Sequence, residues 1–490
     1  MKTFFSTRAA SSGLNLSFVP ALLRLAIPIS LQHLLMTSLN LADTLMIGQL
    51  GEVQIGAIAL ANQIFFLLAL FLFGVGSGSA VFSSQFWGSR DISGVRRAMG
   101  LSLLLGCAGA LVFTAAGILI PRQLLSLFTP DQEVIREGTR YLRIVAVSYL
   151  FTAITMGYAH ALRSVGDSRL PLLATAVSIG LNILGNYLLI FGIGIFPALG
   201  VRGAAIATAG ARVLELAVIL VVVYRRKGPV AASPGELLRF DRSFTRRFFG
   251  RATPVIFNEI FWSIGFTLYT VVFARMGTGH LAAYTISDTV GRLMLVLFIG
   301  SANATAILIG NRIGEGAHQG RLGYSSIDEN PAQQIGMTLL KVLPLVSALV
   351  GLVVFFGVAP LVPRFFSVSP QVRTMVTQLM RAFALVMVAK VLNLHLIVGI
   401  LRGGGDTSFA LGVDVGFLWL VGVPAAFISG LLLGLPVHLV YLCIGLEEIG
   451  KLIMGINRVR SGRWINVLTD PGEVLLHAVP DPSDATGYPL

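Results

Sequence analysis

The chain has 490 residues, 55% of them apolar and only 12% charged, with a net charge of +13 and a mean hydropathy of +0.82. A soluble domain carries roughly twice that charged fraction, so a water-soluble enzyme or binding module is excluded. Nucleic-acid binding is excluded on pattern, because the Lys and Arg flank apolar runs and lack interleaved aromatic residues.

In chain order, residues 1–19 are mildly polar and lead into a long apolar run without a small-residue cleavage site, so no cleavable signal is expected. Twelve apolar segments follow: 20–48, 53–86, 96–120, 134–162, 169–192, 202–225, 252–276, 280–311, 334–361, 373–401, 407–433 and 436–456. Each is long enough to cross ~30 Å of hydrocarbon, and several are long enough to tilt or to project from the bilayer. Segments 3, 9 and 11 read as clear spans, whereas 1, 2, 8 and 10 carry polar residues that point to an interior. Cys107 and Cys443 lie inside apolar segments and read as small packing residues, not as a disulfide or metal pair.

Polar groups at membrane depth are the candidates for chemistry, because they are expensive there. Segment 1 holds Asp43 in Asn40-Leu-Ala-Asp43-Thr44, with Asn40 one helical turn and Gln32 three turns earlier on the same face. Asp43 is either an interfacial helix cap or an intramembrane acid. The apolar run that continues on both sides favours the acid. Segment 5 presents Asn182 and Asn186 at i, i+4, and segment 6 presents Thr208. A carboxylate with neutral oxygen donors can hold a hard monovalent cation, or the acid alone can carry a proton. The asparagines read equally well as interhelical hydrogen-bonding glue. Arg212 and Glu215 in segment 6 read as a structural ion pair. Segment 7 holds Asn258, Glu259 and Trp262. Segment 8 holds Tyr284, Asp288 and Arg292 at i, i+4, i+8, with Asp288 and Arg292 placed to pair. Segment 10 holds Lys390, Asn393 and His395, the histidine reading as a packing residue.

The second half repeats the first. A shift of 226 positions brings Pro28 onto Pro254, Thr44 onto Thr270, Gly51 onto Gly277, Ala57 onto Ala283, Gly74 onto Gly300 and Gly88 onto Gly314. A longer connection at Gly314–Gln333 raises the shift to 239, which brings Leu162-Arg163-Ser-Val-Gly166-Asp167-Ser168 onto Leu401-Arg402-Gly-Gly-Gly405-Asp406-Thr407. The acids do not repeat: Glu259 falls on His33, and Asp43 on Tyr269. Six segments per unit make the repeat parallel, with its pseudo-two-fold along the membrane normal.

The expected organisation is an all-α integral membrane protein of twelve helices in two six-helix bundles. Its parts are an N-lobe at 1–226, a cytoplasmic linker at 227–245, a C-lobe at 246–460 and a loose polar tail at 461–490. Lys and Arg concentrate in the termini and the even-numbered connections, including Arg90, Arg96, Arg97, Arg225, Arg226, Lys227, Lys451, Arg458, Arg460 and Arg463. That bias places both termini in the cytoplasm.

Several motifs together resemble the multidrug and toxic compound extrusion (MATE) family over roughly residues 20–470. They are Pro28 with Asn40-Leu-Ala-Asp43-Thr44-Leu-Met-Ile-Gly48, Leu162-Arg163 through Gly166-Asp167, Asn182-Ile-Leu-Gly-Asn186, Gly200-Val-Arg-Gly203 through Thr208, Pro254 through Asn258-Glu259 and Trp262, and Leu401-Arg402 through Asp406. The resemblance implies that Asp43 is the helix 1 acid of ion coupling, with Asn182, Asn186 and Thr208 as its polar partners around H+ or Na+. Many members have Asp where this chain has Asn186, which lowers the site's charge by one. The resemblance also implies a C-lobe substrate or second ion site at Glu259, with Asn258, Trp262 and Asp288. Members with such a site also use a helix 10 Asp, near which only Asn393 can be placed.

The expected function is antiport of apolar or cationic organic compounds, drugs among them, by a monomer in the cell membrane, with no cofactor beyond the coupling ion. A flippase for a lipid-linked precursor would share the architecture but would need a strongly basic cavity. An intramembrane enzyme would need a nucleophile–base pair or metal-ligand spacing at membrane depth, and no HExxH, GxSxG or clustered His/Asp set is present.

Overall fold

The computed structural model describes residues 16–319, 330–366 and 368–469. No strand occurs among them. Twelve long helices dominate: α1 Val19–Gly48, α2 Glu52–Gly88, α3 Ile92–Leu119, α4 Gln132–Val145 continued by Ser148–Ser164, α5 Arg169–Phe191, α6 Val201–Arg226, α7 Arg242–Met276, α8 Thr278–His318, α9 Pro331–Phe365, α10 Pro370–Leu401, α11 Thr407–Leu432, and α12 Val437–Ile444 continued by Leu446–Arg460. Helices satisfy their own backbone polar groups, which is what a long apolar chain in hydrocarbon requires.

Ten of these helices are long and apolar enough to span on their own, and α4 is an eleventh span bent by 50° at its break. The twelfth span differs from expectation. α12 is interrupted at Gly445 and carries Glu447, Glu448 and Lys451, all buried. Its charges are turned into the protein, so mean apolarity understates it.

The repeat is visible in the turns. Gly51 and Gly277 have φ of +123° and +134° at the starts of α2 and α8, and Gly166 and Gly405 have φ of +94° and +80° just after α4 and α10. These backbone conformations strain any residue with a Cβ. The following acids also match: Asp167 pairs with Arg226 at 3.4 Å and Asp406 with Arg458 at 2.7 Å, tying each turn to the end of α6 or α12.

The seam between the lobes closes at one end. Gly74 and Gly78 of α2 abut Ile256 and Ala252 of α7, Gly88 abuts Asn311 of α8, and Gly300, Gly310 and Gly314 of α8 abut Ser30, Ser84 and Gln85. Small residues let membrane helices approach backbone to backbone. At the opposite end, Gly48, Gly51, Gly277 and Gly279 meet only residues of their own lobe. The first half of α1, from Phe18 to Ile29, packs into the C-lobe core, whereas its later residue Ile47 packs with the N-lobe.

The linker and the start of the tail are both ordered against the helices. The 227–245 connection contains a helical turn, Pro234–Leu237, closed by a Ser233–Glu236 capping box and held to α3 by Arg96–Glu236 at 2.5 Å. The hydrogen bonds from Ser233 hold the Glu236 carboxyl below its usual range, with Arg96 adding to the effect. The described part of the tail, residues 461–469, is not loose, because Trp464 within it is fully buried. Residues 470–490 lie outside the described residues.

Candidate functional site

The four N-lobe candidates form one hydrogen-bonded chain. Asn186 Nδ2 donates to Asp43 Oδ1 at 2.7 Å and to Asn182 Oδ1 at 3.1 Å, and Asn182 Nδ2 donates to Thr208 Oγ1 at 3.2 Å. Helical spacing stacks Asn182 over Asn186 on α5, between the Asp43 end of α1 and the start of α6. Both asparagines are buried and Asp43 is half-buried. The Asn186 Oδ1 acceptor is buried with no hydrogen-bond donor among the described residues. A buried acceptor left unpaired costs on the order of 1–3 kcal/mol.

Nearer the closed end, each lobe contains a polar ladder. In the N-lobe, Arg163 donates to Gln32 Oε1 at 2.7 Å, Gln32 Nε2 to Thr175 Oγ1 at 2.8 Å, Thr175 to Glu215 Oε1 at 2.7 Å, and Glu215 pairs with Arg212 at 2.9 Å. In the C-lobe, Arg402 donates to the Asn258 carbonyl, Asn258 Nδ2 to Asp414 Oδ2 at 3.1 Å, and Asp414 pairs with Lys451 at 2.9 Å. Lys451 also lies 3.7 Å from Glu447, which accepts from the Tyr269 hydroxyl at 2.9 Å. The first three rungs are repeat mates: Arg163 with Arg402, Gln32 with Asn258 and Thr175 with Asp414. The ladders therefore share a topology but end in opposite charge, Glu215 on α6 against Lys451 on α12.

Glu259 is not a free acid. Its carboxylate pairs with Arg402 at 2.7 Å, with the two side chains 14% and 4% exposed. Asp288 pairs with Arg292 at 2.7 Å, as its spacing predicts. Asn393 donates to the Glu448 carbonyl at 2.7 Å and to its carboxylate at 2.8 Å, while its own Oδ1 is buried and unpartnered. Lys390 lies 3.5 Å from Glu448 and over the rings of Phe266 and Tyr441. His395 bonds Ser301 and the Val391 carbonyl.

All of these groups except His395, Ser301 and Val391 line a cavity of about 320 Å³ in the C-lobe, which reaches Phe73 of α2 across the seam. Glu259, Asn258, Trp262, Asp288 and Asn393 all line it, beside aromatic walls. Sequence reasoning missed four charged members, Asp414, Glu447, Glu448 and Lys451. Lys451, expected on the basic cytoplasmic approach to the tail, is buried instead, and segment 11, read as clear, contains buried Asp414. The rule that singled out Asp43, an ionisable residue inside an apolar run, applies equally to Asp414.

A family model, MatE, matches residues 28–188 and 254–428, in both halves of the duplication. The chain belongs to the MATE transporter family. Among curated relatives, the uncharacterized transporter YisQ of Bacillus subtilis is 25% identical over 91% of this chain and 95% of its own length. The probable multidrug resistance protein NorM of Thermotoga maritima is 25% identical over 83% and 84% of the two chains. The fold matches a crystal structure of MATE in the bent conformation with a TM-score of 0.79 at 20% identity, covering 90% of this chain and 96% of that one. It also matches the outward-facing conformation of a multidrug resistance MATE family transporter with a TM-score of 0.76 at 21% identity, covering 90% and 94%. This chain is thus a multi-pass membrane transporter of a non-enzymatic family.

Proposed function

We propose that this MATE protein is a secondary active exporter, acting as a monomer, that expels amphipathic organic cations, drugs among them, in exchange for H+ or Na+ entering at Asp43. The carrying observation is the N-lobe chain. Asp43, the orphaned Asn186 Oδ1, Asn182 and Thr208 offer a carboxylate and neutral oxygens to one small cation. Ion entry relieves an unpaired acceptor and changes the charge on α1, which packs with the N-lobe at one end and the C-lobe at the other. One charge crossing ~100 mV supplies ~2.3 kcal/mol, and a pH or sodium gradient adds to it. With the termini cytoplasmic, the closed end of the seam faces inward and the state described is open outward.

The C-lobe cavity supports a cationic cargo. Five carboxylates line it, Glu259, Asp288, Asp414, Glu447 and Glu448, against four cations, Arg292, Lys390, Arg402 and Lys451. Trp262, Phe266, Tyr269, Tyr284, Phe383 and Tyr441 supply aromatic surface suited to an organic cation. Each cation has a carboxylate partner within 3.5 Å. That pairing argues against the pyrophosphate-binding cavity that a lipid-precursor flippase requires.

The test is export of a fluorescent organic cation from proteoliposomes, driven separately by a pH and by a sodium gradient. One gradient is expected to drive uphill movement. Response to neither overturns antiport.

A further inference from the structure

At the closed end of the seam, the segment after α12 runs across both lobes. Its anchor is Trp464, whose Nε1 donates to Gln333 Oε1 at 2.8 Å and to the Val459 carbonyl at 3.2 Å, within the C-lobe. Asn466 N donates to the Gly404 carbonyl at 2.8 Å, fixing the segment to the turn after α10. From the N-lobe, Gln85 of α2 treats the segment as a peptide treats a neighbouring strand. Its Nε2 donates to the Asn466 carbonyl at 3.0 Å, and its Oε1 accepts from Leu468 N at 2.8 Å. Gln85 and Trp464 are both 0% exposed. Leu468 packs beside Phe82, Phe86, Phe244 and Phe248.

The repeat shows that this contact exists in one lobe only. The mate of Gly404 is Val165, whose side chain packs against an N-lobe cluster and against the cluster that joins α2 and α3 to α7 and Leu468. A Cβ at Gly404 would collide with the Trp464 ring and carbonyl, so the C-lobe turn has room for the tail only because it lacks a side chain. The mate of Gln85 is Asn311, whose Oδ1 is buried without a partner.

We propose that residues 461–469 are an interlobe latch, and that Gln85, Gly404 and Trp464 are positioning residues of the transport cycle. The proposal rests on the alternating-access reading of this family member. For the cavity to reach the end that carries the termini, α2 must part from α8, and Gln85 must release both of its bonds to the tail. The latch thereby biases the protein towards the state described here and sets the fraction of molecules open on the latch side.

The experiment uses full-length protein with Cys107 and Cys443 replaced by Ala and spin labels at Arg90 and His318, on opposite lobes near the latch. Gly404→Val installs the residue of the N-lobe mate and expels Trp464, Gln85→Ala removes the clamp from the other lobe, and Gln85→Asn shortens it. Gly404→Val and Gln85→Ala are expected to add a longer-distance population, with Gln85→Asn intermediate. The half-saturating dye concentration on the latch side should fall by the factor by which that population grows. Distance distributions unchanged in both variants overturn the latch. They leave ion-coupled export untouched, because the distances need no transport. If Gly404→Val does not fold, a Gln85→Cys/Leu468→Cys disulfide tests the same claim. Transport that stops on oxidation and returns on reduction supports the latch. Full transport while cross-linked overturns it.

Discussion

Asn186 and Arg402 show how much a single polar side chain determines inside this protein. Asn186 hydrogen-bonds both Asp43 and Asn182. Asn186→Ala removes a charged hydrogen bond of about 1.5–3 kcal/mol. The same variant removes the Asn186 Oδ1 acceptor offered to a metal cation, so with Na+ as coupling ion the half-maximal concentration should rise, whereas with H+ it should fall roughly tenfold or more, because the lost donor stabilised the unprotonated carboxylate, as measured by initial rates against each ion. Arg402 neutralises Glu259 and bonds Asn258. Arg402→Met leaves a buried carboxylate alone and should cost about 3–5 kcal/mol, read as thermal unfolding in detergent. Adding Glu259→Gln should recover much of that loss. The sequence showed Arg402 only as part of a repeated motif, because a helix-end arginine and an acid 143 positions earlier carry no mutual signal in one chain.

Among the helices, α1 and α12 depart most from simple apolar rods. The polar face of α1 was readable because Gln32, Asn40 and Asp43 interrupt an apolar run at helical spacing. In α12 the sequence reading passed over Glu447 and Glu448 and placed Lys451 with the cytoplasmic cations; their role shows only when Asp414, Tyr269 and Asn393 are seen around them. A lone interior cation in one helix and its acid in another are recognised only by packing. The α2–α8 crossing gives a prediction at this scale. Gly314→Leu puts a side chain against the Gln85 backbone and should push the lobes apart at that end. Cysteine-accessibility labelling at neighbouring positions should rise, and the apparent ion affinity at Asp43 should shift with it, because the two are reciprocally coupled. Unchanged labelling would show that the seam tolerates the bulk.

For the whole molecule, the duplication was legible from the matched prolines, glycines and turn motifs, because repeated backbone geometry demands the same residues at the same places. The chemical difference between the lobes was legible only in outline. The mismatched acids separated the two lobes, but the sign reversal between the ladders, Glu215 against Lys451, needed the third dimension. Residues 461–469 of the tail were misread for a similar reason: their polar composition resembles a loose segment, whereas Trp464 and Leu468 fill sites built by distant helices. The central claim is that an ion at Asp43 drives the conformational cycle of both lobes. The most direct measurement compares uphill, gradient-driven dye export with downhill dye exchange in proteoliposomes of Asp43→Asn protein. Loss of uphill export with retained exchange is the predicted result, and uphill export at the wild-type rate would contradict it.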